Sequence, residues 1–90
     1  MQNAFEPNAV ARRAILKMQG HPDVRFELSR ASDFDFQYVA DGRSGVFWRA
    51  LSPQEAMRGD GPSSLTLAAA WDSCIARMYP GYEVANLEER

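Results

Sequence analysis

The stretch Pro7–Gly20, PNAVARRAILKMQG, decides the fold class, because it sets whether the chain opens on a helix. Pro7 fixes the backbone at a helix start, Asn8 can cap it, and Gly20 with Pro22 beyond it stops it. On a helical wheel Val10, Ala11, Ala14, Ile15 and Met18 share one face, and Arg12, Arg13 and Lys17 lie opposite. Leu16 falls among those charges and off the stripe, as a surface leucine or as part of a contact. The reading is an amphipathic first helix.

Past Gly20 the apolar period changes from 3.6 to 2. In VRFELSR, Val24, Phe26 and Leu28 alternate with Arg25, Glu27 and Ser29, the pattern of a half-buried strand. DFDFQYVA repeats it, with Phe34, Phe36 and Tyr38 against Asp33, Asp35 and Gln37. DGRSG, Asp41 to Gly45, is a turn of residues that tolerate positive φ. VFWRAL, Val46 to Leu51, is a third strand, apolar on both faces. In SPQEAM, Ser52, Pro53 and Glu55 form a capping box on one helical turn. A second helix runs from about Ser64 to Met78, capped by Ser63 or Ser64 and ended by YPGY. The tail EVANLEER either adds a short strand through Val84 or frays. The fold expected is α+β: one two-layer domain over residues 1–90, a three-stranded antiparallel meander flanked by an N-terminal and a C-terminal helix (α-β-β-β-α). In the alternative the two helices lie on opposite faces of the sheet.

Composition limits function. The chain has 90 residues, is 46% hydrophobic and carries twelve acidic against ten basic side chains, for a formal charge of −2. Nine of the ten basic residues are arginine, a bias that suits contact surfaces. The charges are scattered, so no basic footprint for nucleic acid exists. The helix–strands–helix order is shared with the double-stranded RNA-binding domain. That family carries a lysine-rich start to its second helix where this chain reads GPSSLTLAAAW, so RNA binding lacks an electrostatic basis. No run is long and apolar enough to span a membrane, and the N-terminus lacks the pattern of a secretory signal. One cysteine allows no internal disulfide, which fits a cytoplasmic protein.

Candidate chemistry is sparse. On the second helix Leu67, Ala70, Trp71, Cys74, Ile75 and Met78 follow core spacing, which makes Cys74 packing rather than a nucleophile. His21, in GHPD, could act as a base oriented by Asp23 but reads as a solvated loop residue. Asp33 and Asp35 share a strand face, too few ligands for a hard cation. No catalytic residue, metal site or cofactor is assigned.

GPSSLTLAAAWDSCIARMYPGYEVANLEE, Gly61 to Glu89, resembles the C-terminal part of small phage proteins of the NinX type. The likeness lies in a proline, an Ala-rich helix with a cysteine, a Gly-acidic turn, a valine and an acidic finish. VFWRAL echoes the aromatic strand before that helix. The likeness covers about a third of the chain, and the N-terminal third departs from it. It implies a phage or prophage origin and an α/β sandwich, and it carries no enzymatic residues.

The function expected is therefore a small non-enzymatic protein–protein interaction module. With the resemblance, it becomes a phage-encoded modulator or inhibitor of a host defence system. The partner is a host protein or a second copy. Its contact residues are expected on strand three and beside it (Phe47, Arg49, Leu51 and Val39), with Leu16, Arg12 and Arg13 on the first helix. The alternative is a small-ligand protein that binds a nucleotide or metabolite as a dimer.

Overall fold

The computed structural model describes residues 9–32, 35–49, 54, 58 and 65–90. The elements run β1 (Ala11–Lys17), β2 (Val24–Ser32), β3 (Asp35–Ala40), β4 (Arg43–Arg49), α1 (Leu67–Met78) and β5 (Glu83–Glu89). The strands form one antiparallel sheet in the order β4-β3-β2-β1-β5. The connection containing α1 carries the chain from one sheet edge to the other. The helix packs across one face, over β1 and β2.

The expected α-β-β-β-α fold is corrected by this arrangement: five strands carry a single helix among the described residues, and the first helix is β1. The segment ARRAILK supports both periods, and its Ala, Arg, Leu and Lys are good helix formers. As a helix it strands Leu16 among charges. As a strand it places Arg12, Ala14 and Leu16 on the covered face, where Leu16 is fully buried and Ala14 5% exposed. Pairing on both sides, with β2 and with β5, outweighs propensity. Pro7 and Asn8 lie outside the described residues. Gly20 still ends the element, at φ 85° in a turn closed by His21 N–H donating to the Met18 carbonyl.

β2 and β3 follow their alternation. Phe26, Leu28 and Phe36 are buried beneath α1, and Tyr38 and Val24 pack beside them. The β3–β4 turn is only Asp41–Gly42, both at positive φ, so β4 starts at Arg43, three residues earlier than expected. Gly45 is a strand residue opposite Tyr38; a Cβ there would lie 2.6 Å from the Tyr38 hydroxyl oxygen. Phe36 pairs with Trp48 and Gln37 with Val46, which leaves Phe47 as the extra residue of a β-bulge.

α1 carries the stripe read from sequence. Leu67, Ala70, Trp71 and Cys74 are buried, and Ile75 and Met78 pack at its margin. Its cap is Thr66, whose hydroxyl accepts from Ala69 N–H at 3.0 Å, in place of Ser63 or Ser64. Pro80 and Gly81 (φ 88°) then turn the chain, closed by Tyr82 N–H donating to the Tyr79 carbonyl, and lead it into β5. Gln54 is helical and its carbonyl accepts from Arg58 N–H at 3.1 Å; Ser52, Pro53 and Glu55 of the expected capping box lie outside the described residues.

Candidate functional site

Because α1 covers one face only, the other face of the sheet stands open among the described residues. Its side chains include Arg13, Ile15 and Lys17 of β1, Arg25, Glu27 and Ser29 of β2, Gln37 and Val39 of β3, and Ser44 and Val46 of β4. Val39 and Val46 are 42% and 44% exposed. Sheet twist makes the centre of this face concave. The concavity has a volume of about 690 Å³ and is bordered by Ile15, Arg25, Glu27, Val39, Asp41 and Asn86, with Arg13 and Glu88 on the β1–β5 side.

Charges on the face are arranged by cross-strand pairing. Arg13 stands opposite Glu88, and their side chains meet at 2.7 Å. Arg90 reaches across to Glu27 at 2.8 Å. Asp41 Oδ1 accepts from Arg25 N–H at 2.9 Å, and Asp41 N–H donates to the Arg25 carbonyl, which pins the β3–β4 turn to β2. Exposed pairs of this kind contribute only about 0–1 kcal/mol each, so they set charge layout more than stability.

Of the residues expected to bind a partner, Val39 and Arg13 lie in the concavity. The others do not join them. Leu16 is fully buried and Arg12 is 9% exposed, so neither is a surface group. Arg12 Nη2 meets Glu89 Oε2 at 2.6 Å, and its guanidinium lies over Trp71, 5.8 Å from the ring centroid. Phe47 is half-buried and packs against the core through its bulge, and Trp48 packs there too. The exposed apolar residue of β4 is thus Val46. Arg49 ends β4 opposite Asp35, and Leu51 lies outside the described residues.

Arg25, Ile15, Glu27, Asn86 and Glu88 were not singled out from sequence. The outward alternation of Arg25 and Glu27 was legible. Ile15 was hidden by the helical reading, and Asn86 by the uncertain tail. Asn86 takes φ 55°, and with Leu87 it opposes Ala14 as a bulge.

The remaining candidates make no site. Burial pushes the Cys74 thiol up to about 11, against a smaller opposing effect of Arg77, and its Sγ rests 3.5 Å from Met78 Sδ. Asp23, the expected partner of His21, instead pairs with Lys17 at 2.7 Å, and His21 sits 6.2 Å from the Tyr82 ring. Asp33 lies outside the described residues, and no cluster of three metal-ligating side chains occurs among those described. Among the described residues no helix is long and apolar enough to cross a membrane.

No family model matches the chain, and no curated protein or solved structure matches it.

Proposed function

We propose that this chain is a small non-enzymatic protein–protein interaction module whose open sheet face is the contact surface. The observation that carries this reading is the concave face centred on Ile15 and Val39, beside exposed Val46, in a domain whose helix covers only the opposite side. An apolar centre framed by ion-paired side chains has the layout of an interface core and its rim. The molecule measures 44 by 31 Å across its two longer axes, room enough for the roughly 800 Å² per partner of a standard interface. That the partner is a host protein and the chain a phage-encoded modulator rests on the resemblance to small phage proteins.

Surface variants compared side by side test the reading. Val39→Asp and Val46→Asp place charge on the open face, whereas Ala68→Asp does so on the exposed side of α1. Proteins retained from a host lysate by the immobilised chain and by Ala68→Asp should be lost from both open-face variants, at unchanged melting temperature. Self-association is read by the same variants in sedimentation equilibrium. Retention that all three variants share, with no self-association sensitive to Val39, removes the open face as the contact surface.

A further inference from the structure

β4 is a sheet edge: among the described residues it pairs with β3 alone. Its outward backbone groups follow from the hairpin. Asp41 and Gly42, both at positive φ, form a two-residue turn, so the flanking Ala40 and Arg43 exchange both backbone bonds. Bonded residues alternate along an antiparallel pair. Gly45 is therefore bonded to Tyr38, while Ser44 and Val46 send their N–H and C=O groups away from the sheet. Asp41 N–H, donating to the Arg25 carbonyl, fixes the same phase from the β2 side. The opposite edge, β5, carries a bulge and three glutamates, whereas β4 has neither charge nor proline between Arg43 and its bulge at Phe47.

We propose that this edge docks a second copy of the chain, paired antiparallel about a two-fold axis at Gly45, so that two sheets become one. With the axis there, Ser44 of each copy lies opposite Val46 of the other, and each such pair exchanges both N–H···O bonds. An axis at Ser44 bonds Ser44 alone. An axis at Val46 bonds Val46 alone and sets Arg43 opposite Arg49, like charge against like. Gly45 meets Gly45 of the second copy as a non-hydrogen-bonded pair, the closer spacing at about 4.5 Å between Cα atoms. No side chain crowds that approach, and the place a Cβ would take is already filled by the Tyr38 hydroxyl. The outward side chains beside the junction, Gln37, Val39, Ser44 and Val46, are uncharged, and Arg43 falls opposite Phe47. Two chains of net charge −2 thus meet without like charges opposed. Any strand offers backbone donors and acceptors; the match of Ser44 to Val46 under one rotation selects the chain itself. The blunted β5 edge ends the assembly at two copies. This contact is separate from the open face and joins two such faces side by side.

The test is sedimentation equilibrium of the full chain over a range of concentrations, with amide hydrogen exchange of the labelled protein over the same range. A reversible dimer should form, and the Ser44 and Val46 amides should gain protection with concentration while the Gly45 amide, already bonded to Tyr38, does not. Ser44→Pro removes an outward N–H without removing a bond to β3, so it should weaken the dimer at least about tenfold. Val39→Asp, on the open face, should leave the dimer unchanged. Loss of the dimer in Ser44→Pro counts only with an unchanged melting curve. A second measurement needs no proline: on a Cys74→Ala background, Ser44→Cys mixed with Val46→Cys should form more disulfide-linked dimer than either variant alone. A chain monomeric at every concentration up to about 1 mM overturns the proposal and leaves the open-face reading standing. A dimer abolished by Val39→Asp but not by Ser44→Pro overturns the edge in favour of the open face. Equal cross-linking of the mixture and of each variant alone overturns the axis at Gly45.

Discussion

Arg12 shows how one side chain can disguise an element. Read as polar, it marks an outer face. In the structure it fills a covered position, with Nε and Nη2 on Glu89 Oε2 and the guanidinium over Trp71. Glu89 Oε1 is buried without a hydrogen-bond partner, so the pair is incompletely satisfied. Removing one member strands the other charge: Arg12→Ala should cost about 3–5 kcal/mol in urea melts. Arg12→Met with Glu89→Leu should recover most or all of it, and a double variant as weak as the sum of the two singles contradicts the coupling. Cys74 offers a second measurement. Its thiol, raised to about 11 by burial, should label slowly in the folded chain below pH 9 and rapidly in denaturant. A proton held more tightly in the folded than in the unfolded chain stabilises the fold fully below pH 9, and that share is lost as pH rises from 9 towards 11. A Cys74→Ala variant should lack this alkaline loss. At Gly45 an added Cβ would meet the Tyr38 ring, which stacks on Phe26, so Gly45→Ala should cost about 1–3 kcal/mol by overpacking.

At the scale of elements, β5 explains why β1 is a strand. Arg12 and Arg13 pair with Glu89 and Glu88, the Arg90 carbonyl accepts from the N–H groups of Val10 and Ala11, and Arg90 N–H donates to the Ala11 carbonyl. In sequence, Val84 and Leu87 are three apart and break the strand period. The bulge at Asn86 repairs this: Val84 opposes buried Leu16, and Leu87 packs against the core. Asn86 accepts positive φ where a β-branched residue resists it. Asn86→Gly should therefore keep stability close to the parent's, while Asn86→Val should lose about 1–3 kcal/mol in thermal melts. Equal stability of the two variants excludes strain at that position. The bulge and the glutamates of β5 also blunt a sheet edge that could otherwise pair with another chain.

For the whole molecule, one helix must close one face of a five-stranded sheet. Trp71 bears most of that task, packing edge-on to Phe26 at 5.4 Å between centroids, while Tyr79 meets the same ring at 5.6 Å. Trp71→Ala should cost about 3–5 kcal/mol, a large part of the stability of a domain this small. A melting transition as sharp and as high as the parent's contradicts that packing. The sequence by itself determined the elements whose contacts are local. A turn beginning at Asp41 follows from residues that accept positive φ, though not its end at Gly42; β2 and β3 follow from strict alternation, and α1 from an unbroken stripe ended by Pro80–Gly81. Cys74 was legible as packing for the same reason. Only the tertiary structure decided β1, β5, the register of β4 and hence which side chains are open to a partner. ARRAILK satisfies two periods, and the choice falls to a neighbour more than sixty residues away. One inserted residue at Phe47, and another at Asn86, changes which side chains face the core without any mark in composition. The open face exists because the first segment is spent as a strand in the sheet and leaves α1 as its only described helical cover.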